Sequence, residues 1–152
     1  MNTIKGSAIF LAQFIRDEVP FNNLYGITSW LADLNYKGIQ IPAWDNRLID
    51  LKRSATSRTY CNELKGKAES KGLTLVELAA YLQGQVIAIH PAYETMFDAF
   101  YLRGLNPKAR TEWATDQLIM TIMASVNFGT KNVSVLSGYS FRRASMSFVT
   151  NR

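Results

Sequence analysis

The segment "LQGQVIAIHPAYE" (residues 82–94) holds His90, the single histidine of the chain, directly before a proline. An imidazole at this place can contact a hydroxyl group of a ligand or transfer a proton near neutral pH. The alternative is a loop histidine that fixes "HPAYE" by hydrogen bonds. His90 is therefore the candidate catalytic residue, and because it is the single histidine of the chain it predicts no metal site.

Three further residues of the same segment suit ligand recognition. Gln83 and Gln85 flank Gly84 after an apolar run, and their amides are candidates for binding hydroxyl groups. Ordinary turn chemistry explains the two glutamines equally well. Tyr93 can stack on a ligand or cover the rim of a barrel, and the second role is favoured.

Polar residues also follow the ends of other apolar runs that have the character of strands. Gln13 lies at the end of the first run, in "SAIFLAQF", and Gln40, Trp44 and Asp45 lie around the second, "GIQIPAW". Ser137 follows the fourth predicted strand, in "KNVSVLSGYS". Enzymes with a (β/α)8 barrel place their active sites just past the carboxyl ends of the strands. This clustering therefore favours barrel-type βα units.

The elements that must position these residues alternate between strand and helix. The run 7–14 predicts a strand buried on both faces. Asn22 or Asn23 predicts the cap of a helix, which Gly38 ends and which has Lys37 in its last turn. The core positions of this helix are predicted to be Leu24, Ile27, Leu31 and Leu34. The segment 47–72 is expected to be helical up to Gly72.

The second half of the chain continues this alternation. The third predicted strand, "LTLVELAAYLQGQ", contains Glu77, a carboxylate that must be paired or must line a barrel interior. Residues 82–105 are expected to be irregular. A long helix follows, capped by Asn106, begun by Pro107 and ended by Gly129.

The side chains of this long helix divide into two predicted groups. Met120 and Met123 are expected to lie in the core, whereas Glu112 and Asp116 are expected to be exposed. A fourth strand over 131–140 completes a predicted α/β fold with parallel strands. No glycine-rich loop follows the first strand, which argues against a dinucleotide-binding fold.

Composition limits the classes of partner. Hydrophobic residues make up 47% of the chain, and its formal net charge is +5. Because Lys52, Arg53 and Arg58 lie in a segment that also carries Asp50 and Glu63, the basic residues form a solvated surface, and we expect no nucleic-acid partner. No apolar run approaches the ~20 residues of a membrane span. One cysteine excludes an internal disulfide, and the protein is expected to be cytoplasmic.

Four segments carry a resemblance to a known family: "AIFLAQF", "YKGIQIPAWD", "LQGQVIAIHPAYE" and "NPKARTEWA". Over residues 4–138 the chain resembles the first half of the sugar phosphate isomerase/epimerase family. The resemblance implies a xylose isomerase-like TIM barrel in which a divalent metal polarises an aldose or ketose and a base moves a proton between carbons.

The resemblance also implies roles for the candidate residues toward a sugar or sugar phosphate. His90 would take part in proton transfer. Trp44 and Asp45 would stack on the sugar and hydrogen-bond to it, although a Trp that covers the rim and an Asp that caps the next helix are slightly favoured. The substrate-binding set implied in this way is Gln13, Gln40, Trp44, Asp45, Gln83, Gln85 and Tyr93.

The family's metal ligands lie in the second half of a barrel that takes ~250 residues or more, and this chain has 152. We expect a single domain over 1–152, an incomplete (β/α)8 TIM barrel of about four N-terminal βα units, and a divergent tail over 139–152. The expected protein is truncated, inactive alone and without a metal or other cofactor. The alternative is a non-catalytic sugar-binding or self-associating half-barrel, a homo-oligomer formed through open sheet edges.

Overall fold

A computed structural model describes residues 6–136, apart from the side chains of residues 91, 92 and 94. Strands of the described residues are β1 (Ala8–Phe10), β2 (Gly38–Pro42), β3 (Thr74–Ala79) and β4 (Val133–Ser134). The α-helices in this range are α1 (Leu24–Asp33), α2 (Leu51–Thr56), α3 (Arg58–Glu69), α4 (Tyr81–Val86) and α5 (Pro107–Phe128). Leu11–Gln13 and Pro91–Phe100 are 3-10 segments.

The strands form one sheet in the order β1-β2-β3-β4, and the β1–β2 and β2–β3 pairs are parallel. The predicted α/β class with alternating helices is confirmed. An open doubly wound sheet reverses its strand order at the point where a ligand binds. The described sheet has no such reversal, because each strand lies beside the strand that follows it in the sequence. This is the arrangement of consecutive βα units.

Helix α1 begins where the sequence predicts and ends earlier. The Asn23 side chain accepts a hydrogen bond from the backbone N–H of Gly26, so Asn23 is the cap. The helix ends at Asp33, and Asn35 takes the left-handed conformation with φ of 64°. Gly38 therefore begins β2 and does not end the helix, which corrects the prediction.

Two residues assigned to α1 from the sequence lie outside it. Leu34 is 53% exposed, whereas the other three predicted core positions are buried, because Leu34 follows the last helical residue and turns away from the packed face. The backbone N–H of Lys37 donates to the carbonyl of Ser7 at 2.9 Å, so Lys37 already belongs to the approach to the sheet and not to a last helical turn.

The segment 47–72 forms two helices, each with its own cap. Asp50 accepts from the backbone N–H of Arg53 and begins α2, and Ser57 accepts from the backbone N–H of Tyr60 and begins α3. Ser57 is extended, with φ of −131°, and so it interrupts the helical path. Gly72 has φ of 75° and follows the end of α3, as predicted.

Strand β1 is shorter and more exposed than predicted. Ala8 is exposed, and Ile9 and Phe10 are half-buried, so the prediction of a strand buried on both faces is wrong. Among the described strands β1 pairs only with β2, which leaves it at an edge. The chain then turns into the 3-10 segment, where Leu11 is fully buried in the core.

Helix α5 has the predicted ends and a different set of core residues. Asn106 accepts from the backbone N–H of Ala109 at 2.9 Å, and Gly129 follows the helix with φ of 74°. Met120 packs against the core, as predicted, but Met123 is 48% exposed. The prediction for Met123 is wrong because positions three apart on a helix differ in direction by about 60°, so Met123 points away from the face that Met120 packs on.

The predicted exposure of Glu112 and Asp116 on α5 is confirmed. Of the predicted fourth strand, Val133–Ser134 is strand, while Ser137 and the tail 139–152 lie outside the described residues. No helix of the part of the chain from 6 to 136 is long and apolar enough to cross a membrane.

The described residues divide into two compact units. The first comprises residues 6–79 and 120–133, and the second comprises residues 80–119 and 134–136. The single domain over 1–152 stays a prediction. The core of the first unit joins the sheet to helices α1, α3 and α5 through Ile39, Ile41, Leu78, Leu24, Ile27, Leu31, Ala68, Ala124 and Phe128.

Candidate functional site

The first unit places a polar pair on the sheet face that points away from this core. Ile39 and Ile41 of β2 are 0% and 1% exposed and pack in the core. Since successive residues of a strand point to opposite faces, Gln40 between them lies on the other face. Gln40 is half-buried there. The sequence placed Gln40 near the strand end, and the structure places it within the strand.

A β-bulge brings Glu77 of β3 to the same face. Ile39 pairs with Leu75, but the next register partners are Gln40 and Glu77, so β3 has one extra residue at this point. Bulges redirect the side chains that follow them. The Gln40 Nε2 donates to Glu77 Oε1 at 2.6 Å. Gln40 is thus the partner that the in-strand carboxylate requires.

Two aromatic rings extend this row toward β1. Phe10 is the register partner of Gln40 on the opposite side from β3. The Trp44 ring meets the Phe10 ring edge-on, with centroids 6.0 Å apart and planes inclined at 70°. An amide, a carboxylate and two aromatic rings therefore lie along one face of the sheet, across β1 to β3. We call Phe10, Gln40, Trp44 and Glu77 the sheet-face site.

Such a site has a defined chemical capacity. A carboxylate accepts hydrogen bonds from hydroxyl groups, and an amide both donates and accepts. Aromatic rings provide apolar surface with directional contacts. The site is thus suited to a small ligand that carries several hydroxyl groups on an apolar carbon frame.

Asp45, next to Trp44, is engaged by a basic side chain. Arg47 meets the Asp45 carboxylate with two nitrogens, Nε at 3.0 Å and Nη2 at 2.7 Å, and its Nη1 reaches Asp17 at 2.7 Å. The side-chain hydrogen bond from Arg47 lowers the pKa of Asp45, although partial burial opposes the shift. Asp45 also accepts from the backbone N–H of Arg47. It therefore shapes a turn, and the cap of the next helix is Asp50.

The remaining predicted residue of the first unit is Gln13, which ends the first 3-10 segment and is exposed. The sequence did not indicate Phe10 as a site residue. Phe10 can be identified as a site residue only from the register of the strands, in which it pairs with Gln40 across β1 and β2. A single sequence does not specify that pairing.

The second unit holds the residues of the "LQGQ" segment, and they are helical. Gln83 and Gln85 belong to α4, so the expected irregular stretch and turn at these residues are wrong. Gln83 is 2% exposed, and its Oε1 has no hydrogen-bond partner among the described atoms. Gly84 packs closely against Val135 and the carbonyl of Leu136, where a side chain would collide. Close packing of α4 is the physical reason for the glycine between the two glutamines.

His90 and Tyr93 also lie in the second unit, close to each other. The backbone N–H of Tyr93 donates to the carbonyl of His90 at 2.9 Å, and the two rings are 5.7 Å apart and inclined at 45°. His90 is exposed and Tyr93 is half-buried. The pair forms one turn at the start of a 3-10 segment, which is the geometry of a loop histidine fixed by local contacts.

Neither a metal centre nor a reactive thiol is built from the described residues. In the range 6–136, no three side chains of His, Cys, Asp or Glu converge in a way that could hold a metal ion. The divalent metal implied by the family resemblance therefore does not fit this part of the chain. Cys61 is fully buried and donates to the carbonyl of Ser54 at 3.3 Å, and burial raises the pKa of its thiol.

Comparisons with known proteins give a structural likeness at low sequence identity. No protein-family model matches the chain, and no curated protein matches it. Among solved structures, D-psicose 3-epimerase from Clostridium cellulolyticum H10, determined with D-tagatose, is similar with a TM-score of 0.36 and 15% identity. The alignment covers 82% of this chain and 50% of that one, so the chain spans about half the length of its neighbour. A likeness of this degree does not bear on substrate or activity.

Proposed function

We propose that this chain binds a sugar or sugar phosphate at the sheet-face site, as the N-terminal half of a barrel of the sugar isomerase/epimerase type, and does not isomerise the sugar by itself. The observation that carries the proposal is the 2.6 Å hydrogen bond between Gln40 and Glu77 on the sheet face opposite the core. The Phe10–Trp44 ring pair lies beside it, with Phe10 on β1 and Trp44 two residues past the end of β2.

The chemistry of this site supports a sugar as ligand. Glu77 is held in one orientation by the Gln40 amide, and carboxylate oxygens are strong acceptors for hydroxyl groups. Trp44 provides apolar surface for the carbon face of a sugar ring. Gln40 and Trp44 also lie within "YKGIQIPAWD", one of the segments that carry the family resemblance.

The proposed lack of turnover rests on the catalytic groups and metal ligands that the described residues supply. Movement of a proton between sugar carbons needs a base together with a group that polarises the carbonyl. Residues 6–136 supply no set of three metal ligands, and their single histidine lies in a turn of the second unit. No step of the proposed function therefore passes through a metal ion.

Titration calorimetry with aldoses, ketoses and their phosphates tests the binding. Loss of the Glu77 charge in Glu77→Gln should weaken the best ligand about tenfold or more, since a hydrogen bond to a charged group contributes ~1.5–3 kcal/mol. Glu112→Gln is the matched control, because Glu112 is exposed on α5. Equal affinities of the two variants, or no binding of any sugar by the unaltered chain, would contradict the proposal.

Exchange of carbon-bound hydrogen tests the absence of turnover. Incubation of the chain with its sugar ligand in heavy water, with and without Mn²⁺, should place no deuterium on the carbons beside the carbonyl. Metal-dependent incorporation would overturn the inactive part of the proposal and leave the binding part standing.

A non-catalytic half-barrel that associates through its open edge is the second candidate. The observation that favours it is β1, which pairs on one side only among the described strands and is exposed at Ala8. An unpaired edge offers backbone groups to another strand. A strictly monomeric chain that also binds no sugar would exclude this candidate.

We further propose a cytoplasmic setting with neither nucleic acid nor membrane as partner. A single buried cysteine supports a reducing compartment. The exposed basic residues Lys52, Arg53 and Arg58 alternate with acidic neighbours, which supports a solvated surface.

A further inference from the structure

Helix α5 carries a line of exposed apolar side chains. Ile119, Ile122, Met123 and Val126 are 49%, 55%, 48% and 69% exposed. Their spacing of i, i+3, i+4 and i+7 places them on one face of the helix. Isolated apolar side chains are ordinary on a protein surface, whereas a contiguous group marks an interaction site. We call these four residues the α5 stripe.

The stripe is not an extension of the protein core. Thr121, Ala124 and Phe128 form the buried face of the same helix, each at most 2% exposed. At 3.6 residues per turn, Phe128 lies roughly 180° around the helix from Ile119. A neighbouring helix of the same layer would contact the flanks of α5 and not this outer line. The stripe therefore needs a partner from outside the chain's own helix layer.

We propose that the partner is a second copy of this chain, which binds through the same stripe in an antiparallel helix pair. The segment 117–128, "QLIMTIMASVNF", has no charged residue, so it suits an apolar partner surface. A two-fold axis between Ile122 and Met123 sets these two residues against each other. It also sets Ile119 of each copy against Val126 of the other. Spacing of this kind is self-complementary, as an isologous interface requires.

Charge at the two ends of the stripe agrees with the antiparallel orientation. Asp116 lies one turn before Ile119 on the same face and is exposed, and Lys131, just past the end of the helix, is also exposed. The antiparallel arrangement brings Asp116 of one copy near Lys131 of the other. A parallel pair would instead bring Asp116 near its own counterpart, which is repulsive.

The exposed apolar area of the stripe is small compared with the interface of a stable dimer. The four side chains expose an apolar area on the order of a few hundred Å² per copy, less than the roughly 800 Å² per partner of a standard interface. An interface of this size falls in the range of weak, transient contacts, so the dimer should be reversible. None of the stripe residues belongs to the sheet-face site, so this inference is independent of the proposed function.

Sedimentation velocity of the full chain over a wide concentration range tests the dimer. The expected result is a shift from monomer to dimer with increasing concentration. Ile122→Glu places like charges near the two-fold axis and should raise the dissociation constant about tenfold or more. The control is Leu34→Glu, at an exposed leucine of the first unit outside the stripe, which should leave association unchanged. Circular dichroism verifies that each variant is folded.

A charge exchange tests the orientation. Ile119→Glu and Val126→Lys should each weaken the dimer, and the chain that carries both substitutions should recover association, because the two positions face each other across the antiparallel pair. Failure of the double substitution to restore association overturns the proposal. A dimer that Ile122→Glu leaves intact also overturns it and would indicate association through the sheet edge at β1. A full chain that stays monomeric also overturns it.

Discussion

Glu77 shows how a sheet accommodates a carboxylate through an amide partner. Its oxygen accepts a hydrogen bond from the Gln40 amide, which fixes the side chain. The bulge in β3 is what makes the contact possible, because regular pairing would set Gln40 against Val76. Sequence reasoning identified Glu77 as a residue in need of a partner. It could not name Gln40, because the register of two strands is not encoded in either strand alone.

Asp45 illustrates the opposite case, a carboxylate committed to an arginine. The pKa of Asp45 is lowered by Arg47, so the pairing stabilises the folded chain above the ordinary carboxyl pKa of about 3.9. The stabilisation disappears as the pH falls through the lower native pKa. We therefore expect Arg47→Gln to lower the urea midpoint at pH 7 and to leave it nearly unchanged near pH 2.

Urea unfolding at several pH values measures this difference. Arg103→Gln is the control, because Arg103 is an exposed arginine outside the Asp17–Arg47–Asp45 group. A loss of stability in Arg47→Gln that is equally large at both pH values would show that Arg47 acts through packing and not through its charge.

At the level of elements, the sequence predicted those features that depend on local chemistry. Asn23 and Asn106 cap their helices because a short polar side chain can satisfy the free N–H groups of the first turn. Gly72 and Gly129 end helices because both adopt positive φ. Features that depend on distant neighbours were missed. Helix α4 is one, since its glycine is determined by packing against residues 135 and 136.

A contact between α5 and α2 gives a prediction at the same scale. The Asn127 Nδ2 donates to the carbonyls of Ser54 and Ala55 at 2.9 and 3.0 Å, at the end of α2. Asn127→Asp replaces these donors with a carboxylate that faces carbonyl oxygens and the negative end of a helix. We expect it to lower the free energy of unfolding by about 1–3 kcal/mol at pH 7.

Asn62→Asp provides the matched control, because Asn62 is exposed on α3 and undergoes the same chemical change. Chemical denaturation of both variants is the measurement. Equal stabilities would mean that the two hydrogen bonds to α2 contribute nothing to the fold.

For the whole molecule, helix α5 is the element that both compact units share. Residues 107–119 belong to the second unit, and residues 120–128 belong to the first. Because a helix forms cooperatively, loss of one half removes hydrogen bonds from the other. We expect one cooperative unfolding transition. Hydrogen exchange should therefore lose protection in α1 and in residues 107–119 at the same denaturant concentration, and separate midpoints would establish two domains.

The sequential strand order has a consequence for the time at which the sheet forms. Ala8 pairs with Gly38, and Gly38 pairs with Thr74, so each strand finds its partner in the strand just before it. The β1–β2 pair can form as soon as residue 42 has left the ribosome, before β3 has emerged from it. Loop closure is limited to the length of one βα unit at each step, which keeps the entropy cost of every pairing low. Translation from the N-terminus thus supplies the strands in the order in which the sheet can be assembled.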